Sequence, residues 1–186
     1  MEIIEMKITC TEYPTEQDWI ACKERALVTV GLNIKNPPDE NWKKSILKAR
    51  HSPIRRLRFS FKLEGIPSWV SVHLVRHIHA QPYVKSQRND RQNNYDRTKA
   101  PQDTMVSHIM SVNAQELAFM AHKRLCGQAD PYTRMVMQEI VKQVIEVNPE
   151  FMDVLVPLCG YRNGKCTEFN CCGLNKKYQG GRTDGK

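Results

Sequence analysis

The stretch "RRLRFSFKLEG", Arg55 to Gly65, carries the clearest structural signal in this chain of 186 residues. Apolar and polar side chains alternate along it, and the apolar members are Leu57, Phe59, Phe61 and Leu63. This period of two predicts a strand with one face on the core and one basic face outward. Gly65 and Pro67 are expected to end the strand in a turn.

The segments before this strand predict one further strand and two helices. Alternation from Met6 to Tyr13 indicates an N-terminal strand. Thr15 followed three residues later by Asp18 resembles a capping box, which starts a helix. A second helix is expected at residues 40–49, where Trp42, Ile46 and Leu47 share one face.

The segments after the strand predict mainly helices. In "SWVSVHLVRHI" the spacing of Trp69, Val72 and Val75 predicts that this face packs on the core. Pro82 and the polar tract 86–98 predict a long loop. Residues 105–126 predict a helix, and Asp130 before Pro131 predicts the start of another.

Taken in order, these elements predict an α/β (α+β) domain in which helices flank a small mixed or antiparallel sheet. The domain is expected to span residues 1–157. Residues 158–186 are rich in Cys, Gly and Lys and too poor in aliphatic side chains to build a core. We therefore expect them to form a C-terminal tail.

The composition favours an anionic partner. Twenty-eight Lys and Arg stand against 20 Asp and Glu, a formal charge of +8, which suits a nucleotide, a nucleic acid or a phosphorylated cofactor. A modest basic excess also serves solubility alone. Seven cysteines without a secretory leader indicate a reducing, cytoplasmic setting. The apolar windows are too short to cross a bilayer, so no membrane partner is expected.

The run from Lys43 to Lys62 holds eight Lys or Arg and no acidic residue. Such a run suits a nucleic-acid surface, but it equally suits the solvated face of an amphipathic strand. The chain shows no RNA-binding aromatic signature and no helix-turn-helix pattern, so nucleic acid is not expected as the partner.

Four cysteines lie within fourteen residues of the tail, and their spacing is C-x6-C-x4-C-C. They are Cys159, Cys166, Cys171 and Cys172. Three interpretations stay open at this point: weak candidates for a metal site, an oxidised pair, or free thiols with no shared role.

The densest polar cluster follows the predicted 68–78 helix, in "VRHIHAQPYVKSQRNDR", Val75 to Arg91. Arginine guanidiniums bind phosphates bidentately, and neutral side chains such as Ser86 and Gln87 hydrogen-bond a base edge. The cluster therefore predicts a nucleotide site, with a solvated basic loop as the alternative. The arginines concerned are Arg76, Arg88, Arg91 and Arg97.

The spacing within "HSPIRRLRFSFKLEGIPSWVSVHLVRHIHAQPYVKSQR" resembles that of the flavin-dependent thymidylate synthase family, the X-type enzymes. That family has Arg-His-Arg, seven residues, Ser, and Arg two positions later; here Arg76-His77-Ile78 is followed by seven residues and Ser86-Gln87-Arg88. The family's later spacings also recur: Arg97 precedes Pro101 by four residues, and Asn113 precedes Arg124 by eleven. The resemblance covers about residues 3–156.

The resemblance implies the fold of that family and reductive methylation of dUMP at C5 to give dTMP. The cofactors implied are FAD, NADPH and 5,10-methylenetetrahydrofolate, and no nucleophile of the enzyme takes part. It also implies a homotetramer with sites formed between subunits.

Site residues are implied in the same way. Arg76, His77, His79, Ser52 and Asn113 would bind the flavin. The nucleotide would be bound by His73, Ser86, Gln87, Arg88 and Arg97. Arg124 would lie over the uracil ring and polarise it, and Arg124 with Ser86 would be catalytic.

The sequence departs from the family pattern at several positions. Ile78 stands in place of arginine, Arg55 in place of a common acid, Val84 in place of a frequent glutamate, and Gln128 in place of histidine. Only eight residues separate Arg88 from Arg97, where a longer segment is usual. Two alternatives follow: C5 one-carbon transfer to another pyrimidine nucleotide, or a non-catalytic relative that binds nucleotide or nucleic acid.

Overall fold

A computed structural model describes residues 5–88 and 96–179, and its centre is a four-stranded antiparallel sheet. The strand order is β1-β2-β4-β3, so β2 and β4 are the inner strands. The expected α+β class is confirmed. The strands are β1 (Lys7–Glu12), β2 (Arg58–Pro67), β3 (Ala80–Val84) and β4 (Met105–Asn113).

Six α-helices and three short 3-10 helices surround the sheet in the described residues. The expected capping box is present, because Thr15 and Asp18 exchange side-chain to backbone hydrogen bonds. The Asp130 side chain likewise accepts from the Thr133 N–H. The α-helices are α1 (Glu16–Val28), α2 (Glu40–Ala49), α3 (Ser68–Val75), α4 (Ala114–Arg124), α5 (Pro131–Val147) and α6 (Leu158–Tyr161). The 3-10 helices are Ser52–Arg56, Pro149–Phe151 and Leu174–Tyr178.

The apolar face of β2 is the centre of the core, as its alternation predicts. Its members, together with Leu57 just before the strand, are fully buried. The Phe59 ring meets Phe151 edge-on at 5.2 Å between centroids, and Phe151 in turn contacts Trp19 at 6.0 Å. These rings join α1 and the 3-10 helix Pro149–Phe151 to the sheet.

The expected turn at Gly65 and Pro67 is wrong, because β2 continues to Pro67. The register with β4 shifts between Leu63 and Ile66, which is a β-bulge. Gly65 has a φ of 65°, a conformation that glycine adopts without strain. The glycine therefore bends the strand and does not end it.

The face of α3 that packs on the core is not the predicted one. Val70, Ser71 and Leu74 are buried, whereas Val72 and Val75 are 51% and 38% exposed, and Trp69 is only half-buried. The helix is apolar on nearly every side, so periodicity alone does not distinguish its two faces.

Two strands lie where the sequence predicted other structure. β3 contains Pro82, which was expected to lie in a loop, and β4 occupies the first part of the helix predicted at residues 105–126. Among the described strands β3 is at the edge and pairs with β4 alone, and at an edge the missing N–H of Pro82 is tolerated. In β4 every second residue is buried, but one of these is His108, which conceals the alternation. Helix begins only at Ala114. Residues 89–95 of the polar tract lie outside the described residues.

The basic run from Lys43 to Lys62 is partly neutralised by acids from elsewhere in the fold. Its ion pairs include Lys43 with Glu16, Lys44 with Glu40, Arg56 with Asp18, and Lys62 with Glu64. This favours the solvated-face interpretation. Among the described residues no helix has the length and apolarity to cross a membrane.

The orientation of α3 is tested by one substitution at two positions. Val70→Ala should lower the free energy of unfolding by about 2 kcal/mol, because it removes buried methyl groups, and Val72→Ala should change it by less than about 0.5 kcal/mol. Urea unfolding monitored by circular dichroism measures both. Equal losses at the two positions would contradict the packing described.

Candidate active site

His77, just after α3, is buried between two charged side chains of α4. The Arg124 Nε–H donates to His77 Nε2 at 3.0 Å, and His77 Nδ1 lies 3.2 Å from Glu116 Oε1. Arginine only donates, so Nε2 must accept and the ring proton must be on Nδ1, which donates to Glu116. The contacts therefore select one neutral tautomer of His77.

Burial sets the charge states of this triad. Desolvation, helped by the charge of Arg124, lowers the pKa of His77 from 6.5 to about 4. Desolvation also raises the pKa of Glu116, and the nearby His79 opposes that rise. At neutral pH His77 is uncharged, and its role here is to fix the orientation of the Arg124 guanidinium.

Arg124 also closes the end of α3. Its Nη2 donates to the carbonyl oxygen of His73 at 2.8 Å, which satisfies a carbonyl that the helix end leaves unpaired. The His73 ring in turn hydrogen-bonds the Thr133 hydroxyl at 2.9 Å. Desolvation, and then the charge of Arg76, lower the pKa of Arg124. Two guanidiniums so close together favour an anion beside them.

The start of α4 aligns this set. The Asn113 side chain accepts from the Glu116 N–H at 3.0 Å and caps the helix. Glu116 and Arg124 are eight residues apart and therefore lie on one face of α4, toward His77. Glu116 was not among the predicted site residues. The pattern Asn113-x-x-Glu116 is a helix-start signal, but it does not indicate the contact with His77.

A cavity of about 140 Å³ adjoins Glu116, and it collects other predicted flavin residues. It is lined by Arg55, His79, Asn113, Gln115 and Glu116. The Arg55 Nε–H donates to Gln115 at 2.8 Å. Ser52 begins the 3-10 helix that carries Arg55, but it is exposed and does not line the cavity.

The structure thus brings most of the predicted flavin residues together. Arg76, His77, His79 and Asn113 lie around the junction of α3 and α4, together with His73 and Arg124. Ile78, which replaces the family's arginine, is 84% exposed, so its side chain leaves the contacts of His77 intact.

The remaining predicted nucleotide residues lie at the other end of β4. β3 runs from Ala80 opposite Val112 to Val84 opposite His108, and Ser86, Gln87 and Arg88 follow it. At about 3.3 Å per residue, Ser86 lies roughly 20 Å along the sheet edge from Ala80. Arg88 donates its N–H to the Ser86 hydroxyl.

Arg97 belongs to this second group. It lies in a turn in which the Ala100 N–H donates to the Arg97 carbonyl, and residues 101–104 then lead to the first residue of β4. Arg91, also noted in the sequence, lies outside the described residues. Within one chain the two groups of predicted ligands therefore remain apart.

The comparisons with known proteins identify the fold. No family model matches the chain, and no curated protein matches it. Among solved structures the chain is similar to the crystal structure of thymidylate synthase X (ThyX) from Helicobacter pylori with FAD and dUMP, at 16% sequence identity. The match covers 81% of this chain and 97% of that chain, with a TM-score of 0.60. The chain therefore has a ThyX-like fold.

The buried state of His77 predicts a loss of stability in acid. Its pKa of about 4 in the fold lies below the ordinary 6.5, so the unfolded chain takes up the proton first. The contribution of neutral His77 to the free energy of unfolding is complete above pH 6.5 and is lost as the pH falls toward 4. In His77→Asn the free energy of unfolding should fall with pH less steeply, by at most about 1.4 kcal/mol per pH unit.

Urea unfolding at a series of pH values between 7.5 and 4.5 measures the two slopes. His108 and His122, whose pKa values burial also lowers to about 4, remain in the variant and should keep part of the acid sensitivity. Identical slopes for wild type and variant would show that His77 is not held neutral.

Proposed function

We propose that this protein is a flavin-dependent thymidylate synthase, which methylates dUMP at C5 using FAD, NADPH and 5,10-methylenetetrahydrofolate. The observation that carries the proposal is the Glu116–His77–Arg124 array on a ThyX-like fold. In this array the guanidinium of Arg124, the residue implied to polarise the uracil ring, is half-buried and held by two hydrogen bonds, which supports the proposal.

The residues around the cavity suit a flavin dinucleotide. Arg55 and His79, which line the cavity, supply cationic or hydrogen-bonding groups for the diphosphate, and Asn113 borders the same space. Arg76, outside the cavity lining, adds a cation near Arg124. The cavity of about 140 Å³ is too small for the whole cofactor, since pockets that bind drug-sized ligands already measure roughly 300–1,000 Å³. When bound, FAD would supply the redox step that converts the transferred one-carbon unit to a methyl group.

The separation of the two ligand groups supports a site shared between chains. Ser86, Gln87 and Arg88 with Arg97 provide phosphate-binding and base-binding groups, but they lie at the opposite end of β4 from Arg124. A second copy that brings its Ser86–Arg88 segment to the first copy's Arg124 would complete the site. We accordingly propose a homotetramer with Ser86 and Arg124 catalytic.

Two exposed substitutions favour a second candidate, the same chemistry on another pyrimidine nucleotide. Ile78 and Val84 replace charged residues of the family pattern, and both are exposed, at 84% and 41%. They remove possible contacts to the cofactor or substrate without disturbing the packing. A chain that binds nucleotide and does not catalyse is the third candidate.

Flavin uptake and hydrogen release from C5 test the proposal. The purified protein should bind FAD, seen by its visible absorbance, and should release tritium from 5-labelled dUMP when NADPH and methylenetetrahydrofolate are present. Release from another nucleotide alone would select the second candidate. Failure to bind FAD would overturn both enzyme proposals.

Three arginine substitutions separate the proposed roles. Arg124→Ala should lower turnover by about 100-fold to 1,000-fold while weakening FAD binding much less, because the lost guanidinium polarises the reacting ring. Arg88→Ala and Arg97→Ala should mainly raise the dUMP concentration needed for half-maximal rate. Arg25→Ala, on the exposed face of α1, is the matched control. Wild-type turnover in Arg124→Ala would refute its assignment.

A further inference from the structure

Four cysteines from two distant parts of the sequence line one small cavity between the end of α4 and the C-terminal segment. The cavity measures about 10 Å³, the space of roughly one water-sized atom. Its cysteines are Cys126, Cys159, Cys166 and Cys172. Cys159 lies near enough to the other three for a charge on any of them to be felt at its sulfur. Cys171, which the spacing had included as a weak metal candidate, does not line the cavity; its thiol donates to Asn175.

The backbone around these sulfurs supplies hydrogen bonds to them. The Leu174 and Gly127 N–H groups donate to Cys172, which the Cys126 thiol also hydrogen-bonds. The Gln128 N–H donates to Cys126, from two residues further along the chain. Hydrogen bonds of this kind orient metal-bound thiolates.

Glycines make this close packing possible. Three of the four cysteines are followed directly by glycine: Cys126 by Gly127, Cys159 by Gly160 and Cys172 by Gly173. A Cβ at Gly127 would lie 2.7 Å from the Cys172 sulfur, which is impossible without displacement. Gly173 has a φ of +83°, which side-chain-bearing residues rarely adopt.

Apolar burial orders little of the C-terminal segment. Within residues 158–179 only Cys159 and Gly164 are buried, so the segment contributes almost no apolar core. Near its start the Tyr161 ring packs against His122, at 4.8 Å between centroids, and its hydroxyl donates to the Lys48 carbonyl. Further along, the attachments include the Lys123–Glu168 ion pair and the Gln128 amide, which donates to the Asn170 carbonyl. Small segments that lack a core are ordered by a crosslink or a metal ion.

We propose that Cys126, Cys159, Cys166 and Cys172 bind one Zn²⁺ ion, which crosslinks the C-terminal segment to α4. Four thiolates are a ligand set that zinc accepts in tetrahedral geometry, with zinc to sulfur distances near 2.3 Å. On binding, the thiols release their protons to solvent and no electron transfer is needed.

The side chains as they stand do not yet form the finished site. Among the described residues no three His, Cys, Asp or Glu side chains converge closely enough to hold an ion. Zinc binding therefore requires the sulfurs to turn inward around the cavity they already line. Cys172, exposed at the surface, provides the entry side.

Metal analysis of the full chain, purified without chelators, tests the proposal. Inductively coupled plasma mass spectrometry should find about one zinc ion per chain. After exchange of zinc for Co²⁺, the protein should show a thiolate-to-cobalt charge-transfer band in the near ultraviolet. Cys126→Ser and Cys172→Ser should each lose most of the metal. Cys171→Ser, a neighbour outside the cavity, should retain it.

A second measurement avoids dependence on the folding of these variants. When a chelator removes the ion from the wild-type chain, limited proteolysis should cut within residues 158–179 several-fold faster, and added Zn²⁺ should reverse the change. The proposal is overturned if the wild-type chain is free of metal and takes up no Zn²⁺. It is overturned equally if the intact mass is 2 Da lower than that of the reduced chain, which would reveal a disulfide, or if Cys171→Ser loses as much metal as the other two variants. None of these results depends on FAD binding or turnover.

Discussion

The pairing of β2 with β4 is the constraint on which the rest of the structure depends. Its register places Pro67 opposite Met105 at one end and Arg58 opposite Asn113 at the other. α3 begins directly after Pro67 and α4 directly after Asn113. Because the strands are antiparallel, the two helices start at opposite ends of the pair, and the end of α3 meets α4 where His77 and Arg124 come into contact. A slip of one residue would turn every side chain of β2 to the other face.

The Glu116–His77–Arg124 array between these helices lowers the stability of the fold but fixes the orientation of Arg124. An unpaired guanidinium or carboxylate at this depth would be strongly unfavourable, so each member is retained only with its partners. His77 provides the link because its neutral ring donates on one side and accepts on the other. The result is an Arg124 side chain held in one orientation by its contacts with His77 and the His73 carbonyl. The proposed polarisation of the uracil ring would need a guanidinium preorganised in this way.

The C-terminal segment differs from the rest of the chain in what can order it. The described residues up to Val156 pack through aliphatic and aromatic side chains around Phe59 and Phe151. After Val156 the chain has cysteines and glycines in place of most apolar side chains, so packing cannot order it in the same way. The proposed zinc ion, bound by Cys126 and three cysteines of the segment, would take the place of a core there.

The sequence by itself determined the features that depend on neighbouring residues: the alternation of β2, the caps at Thr15 and Asp130, and the spaced motif residues that resemble a flavin enzyme. It did not reveal β3 and β4, because Pro82 and the buried His108 disguise them and only pairing with a partner strand makes them stable. It did not select the buried face of α3, which has apolar side chains on nearly every side. Glu116 beside His77, and Cys126 beside Cys172, were decided only by the tertiary structure, since contacts between residues 39 to 46 positions apart depend on how the elements pack and have no local signal.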